Sequence, residues 1–302
     1  MRKIAFGYST RCNIRCSHCV AAEDIPDNAK MELGRAKEII RDMAAADVTG
    51  ISFTAGEPFI YFDDLLELVT LSRKLNIYTR IVTNSYWAKT QEETNQRLST
   101  LKECGLSQLR ISYSRWHQQH VPRQNVLNAA RGSRIAGIDY FISFVTDFSE
   151  KDDEYEQFLR DNELLFFPEP VIYAGRANSF NRKAIFTDYQ ENRCTMNPYL
   201  APDLTMYACC DAGSHFNTTG FFNLGNLNTY SVDQLFSKSE TSQIYNCIRS
   251  MGITNIASFA GMNAREIVTY RKCELCDKLF NSPETLKRLE QAANSDLQKW
   301  VR

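Results

Sequence analysis

Apolar positions along the first ~175 residues switch between two periods, and the switching predicts the fold. Ile4-Ala5-Phe6-Gly7-Tyr8 opens the chain as a strand over 3–8, and Leu33, Ala36, Ile39, Ile40 and Met43 follow at helical spacing within 30–46. Strands are expected at Gly50–Thr54, Tyr78–Thr83, Leu109–Ser112 and Tyr140–Val145, with a last strand-like run from Leu164 to Tyr173. Between them, helical spacing recurs through Leu65, Leu66, Leu68, Val69 and Leu71, over 91–104, over 124–136 and near 153–161. Six strand–helix alternations predict an α/β fold, a parallel sheet with helices on its outside. In such sheets, chemistry gathers at the C-terminal ends of the strands. Past residue 175 the alternation stops, which places an expected boundary between a 1–180 core and a smaller 181–302 unit ending in a helix.

Composition narrows the function classes. The chain has 302 residues, 43% hydrophobic and 24% charged, with a net charge of −1 and no long block of one sign. That balance gives no footprint for nucleic acid or an anionic membrane. Neither a secretory h-region nor a ~20-residue apolar span is present. Ten cysteines without a signal peptide read as reduced thiols or metal ligands in the cytoplasm.

The chemistry starts at Cys12-Asn13-Ile14-Arg15-Cys16-Ser17-His18-Cys19, three thiols in C-x₃-C-x₂-C spacing just after the first strand. Three soft thiolates on one loop suit an iron–sulfur cluster, which normally takes four, so one iron is left open to a small molecule. A zinc site or a disulfide pair is the plain alternative, although zinc more often uses paired C-x₂-C knuckles. Ala55-Gly56-Glu57-Pro58 follows the second strand, Thr83-Asn84-Ser85 ends the third, and Ser112-Tyr113-Ser114 ends the fourth.

In this order and spacing the motifs resemble those of the radical SAM superfamily. The resemblance implies a partial (β/α)₆ TIM-like barrel and a [4Fe–4S] cluster on Cys12, Cys16 and Cys19. It further implies that the cluster's open iron chelates S-adenosylmethionine, which one electron cleaves to a 5′-deoxyadenosyl radical. His18 stands where relatives carry an aromatic residue near the adenine. Ala55, Gly56 and Glu57 match G-G-E-P with its first glycine replaced, and imply contacts to the amino group of S-adenosylmethionine. Asn84 matches T-N-G; Ser112, Ser143 and Arg123 are further cofactor candidates, and Arg123 or Arg110 is a partner for the methionine carboxylate. Relatives read S-x-D where Ser114 stands here, which removes a charged group from that position. His117 and His120, in a segment resembling D-x-x-H-x-x-x-V-P, are candidates for substrate contact or general base, with solvated loop histidines as the plain reading. Flavodoxin or ferredoxin would be the reductant.

A second cysteine system runs Cys194, x₁₄, Cys209-Cys210, then Cys273-x-x-Cys276. Together with Pro202-Asp203-Leu204 through Cys209 and Leu224-Gly225-Asn226, it resembles the twitch or SPASM extension, here with Leu204 in place of a glycine. One auxiliary [4Fe–4S] cluster on Cys194, Cys209, Cys273 and Cys276 is expected, with Cys210 able to exchange with Cys209 and a structural Cys₄ zinc as the alternative. Cys104 reads as a small buried hydrophobe. Cys247 is the candidate hydrogen-atom donor, against plain burial of a lone thiol. The aromatics Trp87, Trp116 and Tyr113 fit either a pocket lining or the core.

Two reaction types remain open for a small natural product, such as an aminosugar, or a peptide. One is epimerisation, with hydrogen returned by Cys247. The other is two-electron oxidation or cross-linking, with the auxiliary cluster as electron acceptor. The first strand begins at residue 3, so no N-terminal leader-recognition domain is expected. A cysteine-rich metal-binding or redox-sensing scaffold is the non-enzyme reading, and it gives no reason for the motifs at successive strand ends.

Overall fold

A computed structural model of the chain describes residues 1–20, 29–181, 194–211, 219–268 and 270–295. Six parallel strands form its centre: β1 (Arg2–Gly7), β2 (Val48–Thr54), β3 (Tyr78–Thr83), β4 (Gln108–Tyr113), β5 (Asp139–Thr146) and β6 (Phe166–Pro170). The helices between them are α1 (Leu33–Ala45), α2 (Phe62–Lys74), α3 (Gln91–Cys104), α4 (Arg123–Ala136) and α5 (Asp153–Asp161). This is the partial barrel expected, with β6 as one free edge. Alternation fixes most boundaries to within two residues. The last strand is shorter than its apolar run, because Pro168 and Pro170 lack the N–H that a ladder needs and tolerate only an edge.

Each strand has two faces of different chemistry. Phe6, Phe53, Ile81, Leu109, Ile111, Ile142 and Phe144 point outward and are fully buried against Ile39, Ile40, Leu68, Leu98, Leu101 and Val126 of the helices. Each such side chain contributes about 1.5–3 kcal/mol. The other face of the strands carries Ser52, Arg80, Arg110, Ser112 and Ser143, small or charged residues that line the barrel interior. Helix ends are closed locally. Thr90 caps α3 at Glu93 N, and Gly105 ends it in the left-handed conformation. Cys104, one residue earlier, is half-buried and packs on the edge of the core, less enclosed than the buried hydrophobe expected.

The remaining chain is built onto β1. A two-residue strand β7 (Tyr199–Leu200) pairs parallel to β1, and β8 (Thr205–Tyr207) and β9 (Asn223–Asn226) continue the sheet antiparallel. Six helices follow among the described residues: α6 (Val232–Thr241), α7 (Gln243–Met251), α8 (Ile253–Phe259), α9 (Ala264–Ile267), α10 (Lys272–Phe280) and α11 (Pro283–Ser295). Met206, Phe222, Leu235 and Phe280 belong to the same apolar cluster as Phe6 and Phe53, so both halves share one sheet and one core. The boundary expected at 180/181 abuts residues 182–193, which lie outside the described residues. Among the described residues no helix is long and apolar enough to cross a membrane.

Helix α10 is fastened to the exit of β6. Buried Glu274 accepts from Tyr173 N at 3.1 Å and from Arg271 N at 3.3 Å, while Arg271 donates to Val171 O. Glu274→Ala would leave the buried Tyr173 N–H without its acceptor. We expect about 2 kcal/mol of lost stability in urea titration, well above the ~0.5 kcal/mol of an average surface substitution.

Candidate functional site

The cysteine loop leaves the C-terminal end of β1 and is held from three sides. Glu57 N donates to Arg11 O at 2.8 Å. Asn84 Nδ2 donates to Asn13 Oδ1 at 3.0 Å and lies 3.9 Å from Cys12 Sγ. Arg176 donates from Nε to Cys16 O (2.8 Å) and from its backbone N to Cys19 O (3.2 Å). Burial, then the neighbouring thiols, push Cys16 up to about 12, and burial chiefly pushes Cys12 to about 11. The three sulfurs are therefore close enough to sense one another's charge. None is in a disulfide.

Glu57 is almost fully buried, at 2% exposure. Its carboxylate accepts from Phe59 N (3.1 Å), Thr83 Oγ1 (2.8 Å) and Asn84 N (2.7 Å). Burial, opposed by these hydrogen bonds, raises it to about 7. Gly56, at φ +57°, is pressed so closely on the loop that a Cβ would meet Arg11 O at 2.2 Å. Only glycine fits there. Ala55 holds φ +65° although it is not glycine.

After β4 the chain turns into Arg115-Trp116-His117. Arg115 pairs with Asp147 (2.7 Å) and with buried Asp152 (2.6 Å), which also accepts from Thr146 Oγ1 and Asp147 N. This clamp holds Asp147 well below the usual carboxylate range, chiefly through its hydrogen bond from Arg115. The clamp sets the loop so that Trp116 stacks on His18 (4.9 Å between ring centroids) and His117 meets His18 edge-on (4.5 Å). His117 Nδ1 lies 2.8 Å from Ser114 Oγ, and burial pushes His117 down to about 4. His18 Nδ1 is buried without a hydrogen-bond partner.

The barrel encloses a cavity of about 450 Å³, within the range of small-molecule sites. It brings together His18, Cys19, Ser112, His117 and Ser143 from the residues singled out in the sequence. Other candidates lie elsewhere. Arg123 is at the start of α4, paired with Glu154 at 3.1 Å and over the Tyr155 ring, so its charge is already answered away from the cavity. His120 is exposed and is not among the lining residues. Glu57 and Asn84 act on the cysteine loop through backbone and loop contacts instead of lining the cavity. Trp87 and Tyr113 are core, Trp87 stacking on Phe59 at 4.0 Å. Cys247 is buried on α7 among Ile244, Met251, Ile256, Phe259 and Leu289, away from the cavity, because the apolar face of its helix turns inward on α8 and α11.

Sequence reading did not place Arg80, Glu169, Cys210 or Asp211 on the cavity, and all four line it. For Arg80 a signal existed: Arg80 and Arg110 each stand next to an isoleucine, Ile81 and Ile111, on adjacent strands, so the two charges share one face and the isoleucines the other.

The second cysteine system converges in space. Burial dominates the raised pKa of Cys209, Cys273 and Cys276, and each also senses other thiols of the group that includes Cys194. Among the described residues no three His, Cys, Asp or Glu side chains form a single-ion cage. The fit to iron–sulfur clusters therefore rests on donor chemistry: grouped thiols outside any disulfide, the Gly56 cradle, and the unsatisfied His18 nitrogen.

The profile of the Radical SAM superfamily matches residues 7–161, just over half of the chain, and the chain belongs to that superfamily. It is 23% identical over 134 residues to YydG of Bacillus subtilis (strain 168), whose name assigns it to peptide biosynthesis; the match covers 44% of this chain and 42% of that protein. It is 24% identical over 127 residues to the PqqA peptide cyclase of Gluconobacter oxydans (strain 621H), covering 42% of this chain and 34% of the cyclase. The chain thus spans less than half the length of these two relatives. The structure of hexahistidine-tagged anSMEcpe with bound AdoMet shares the fold, with a TM-score of 0.60, 12% identity and 99% of each chain covered.

Glu57 gives the sharpest prediction. Glu57→Ala strands three donors, two of them on the strand end that holds Cys12, and we expect a loss of about 3 kcal/mol in stability together with reduced iron content after anaerobic reconstitution. Because burial raises the folded carboxyl above its unfolded value, the native state keeps a proton that the unfolded chain loses. Relative to Glu57→Gln, wild-type stability should therefore fall as pH rises from about 4.5 to about 7, which urea titrations across that range will read.

Proposed function

We propose that this enzyme removes a hydrogen atom from a carbon of a peptide or peptide-like natural product and returns one from a thiol, inverting the centre. Cys12, Cys16 and Cys19 would hold a [4Fe–4S] cluster, and a group of Cys194, Cys209, Cys273 and Cys276 an auxiliary one. When bound, the first cluster with S-adenosylmethionine supplies, on one-electron reduction, the radical chemistry that attacks unactivated C–H bonds. The His18–Trp116–His117 wall and the polar ends of β4 and β5 orient the cofactor and the substrate. At physiological pH His117 is neutral, since its pKa is pushed down to about 4. Its imidazole can then accept a proton or a hydrogen bond.

The observation that carries the reading is that Cys210 lines the same cavity as Cys19, His18 and His117. Its neighbour Cys209 does not line the cavity and senses Cys276 and Cys273, while Cys210 also senses Cys194. Cys210 is thus better placed than Cys247 to give its S–H hydrogen to a substrate carbon radical. The thiyl left behind takes one electron and one proton, the electron from a carrier such as flavodoxin or ferredoxin. The peptide class is supported by the names of the two relatives, and a reducing cytoplasm by ten cysteines outside any disulfide. A second reading has its own support: the auxiliary thiols adjoin the cavity, where a cluster could accept the substrate's electron in an oxidation or cross-link.

The test is turnover in D₂O with short-peptide and aminosugar panels, read by high-resolution mass. We expect a product heavier by one deuterium, lost in Cys210→Ser and kept in Cys247→Ser. A product lighter by two hydrogens, formed equally by Cys210→Ser, would favour oxidation. Failure of the reduced, reconstituted wild type to form 5′-deoxyadenosine would remove both readings.

A further inference from the structure

The barrel interior holds more positive charge than its own carboxylates answer. Arg80 on β3 and Arg110 on β4 both line the cavity. They flank one ring, with guanidinium carbons 5.5 and 5.7 Å from the Phe141 centroid. Arg110 has a carboxylate: Nη2 pairs with Glu169 and also donates to Ser143 Oγ at 2.9 Å. Its Nε, however, is buried with no acceptor. Arg80 is satisfied at one nitrogen only, Nε donating to Gln108 Oε1 at 2.6 Å. No carboxylate of the described residues lies within ion-pair distance of it. The other charged groups on the cavity are Lys3 and Asp211, and Asp211 senses Arg110, Glu169 and Lys272.

A half-buried guanidinium is partly desolvated; Glu169 offsets the Arg80 charge only from beyond ion-pair distance, and the outer Arg80 nitrogens stay open to the cavity, where an anion would offset the rest. The fork of an arginine is matched best by a planar two-oxygen anion. Phe141, beneath both guanidiniums, adds a flat surface on which such a pair is held.

We propose that Arg80, with the free Nε side of Arg110, binds a carboxylate carried by the substrate, so that the enzyme selects an acidic side chain or a C-terminal carboxylate near the reacting carbon. The proposal rests on reading this cavity as the substrate's. It assigns the anion to the substrate and not to S-adenosylmethionine from position along the strand. Asn84, beside Cys12, is four residues beyond Arg80, and at ~3.3 Å per residue the guanidinium's strand position lies about 13 Å below the cysteine loop. Arg110 likewise sits two residues before the strand-end Ser112.

The experiment uses the anaerobically reconstituted holoenzyme and succinate as a carboxylate probe, with the neutral succinamide and ionic-strength-matched sodium chloride as controls. Succinate at ten times its dissociation constant should raise the Tm by about 2 °C, and neither control should. Arg80→Gln should abolish the rise, and Arg80→Lys, which keeps charge but not the fork, should retain part of it. The lysine variant carries the test should the glutamine variant not fold. No rise in wild type, or an equal rise in Arg80→Gln, overturns the proposal. So does a tenfold loss of S-adenosylmethionine affinity in Arg80→Gln, which would assign the guanidinium to the cofactor's carboxylate. Formation of 5′-deoxyadenosine by wild type without substrate is measured alongside. Its absence would count against the functional reading, whereas a missing succinate response with cleavage intact counts against the anion site alone.

Discussion

The site depends on one buried carboxylate. Glu57 is enclosed with no cation beside it, an expensive placement for a group that water would otherwise solvate. Three donors from two segments offset that cost: Phe59 N from its own turn, and Thr83 Oγ1 and Asn84 N from the end of β3. Its own N–H meanwhile goes to Arg11 O in the cysteine loop. One residue thus ties the loop after β1, the turn after β2 and the end of β3 into a single unit. Asn84, placed by that unit, reaches back to Asn13 beside Cys12. The thiols are ordered by hydrogen bonds made several residues away, before any cluster adds its own energy.

Charge serves the same end elsewhere. Arg115, clamped by Asp147 and Asp152, sets the loop that packs Trp116 face-on and His117 edge-on against His18. Arg176 ties two carbonyls of the cysteine loop, and Arg271 with Glu274 fixes the helix bearing Cys273 and Cys276 to the exit of β6. Such partly buried groups are hydrogen-bonded anchors more than sources of net stability. Their effect is to make the top of the barrel rigid where the strands themselves have ended. Arg80 differs from them in resting on a single hydrogen bond, to Gln108 Oε1, with no carboxylate at ion-pair distance among the described residues, and this is the basis of the anion site proposed above.

The periodic part of this fold was legible because helix and strand periods are local properties. Helices over 91–104 and 153–161 and the strand over 78–83 match residue for residue. The C-x₃-C-x₂-C loop and the A-G-E-P and T-N segments were legible for a similar reason, since each is a short run whose order along the chain mirrors its place on successive strands. Contacts between segments were not. Whether Cys247 faces the cavity depends on which way α7 rolls against α8 and α11, and its strongly one-sided apolar face buries the thiol instead. Arg123 reads as an available cation until Glu154, on the following helix, is seen to answer it. Cys209 and Cys210 are indistinguishable in a string; in the fold Cys210 lines the cavity and Cys209 does not, although both sense thiols of the second cysteine group.

The departures from the superfamily's glycines make a related point about what a motif encodes. Ala55 and Leu204 replace glycines of the resembled patterns, but both keep the left-handed backbone, at φ +65° and +71°. Each conformation costs a non-glycine residue about 1–2 kcal/mol. Both side chains recover part of that cost by packing. The Ala55 methyl sits against the cluster of Ala5, Tyr199 and Ala201, and Leu204 rests on the main core. At Gly56 no such exchange is open, because a methyl there would occupy the space of Arg11 O. The backbone path is therefore the constrained quantity. The residue type is free wherever a side chain has room to pack, and fixed where the cysteine loop leaves none.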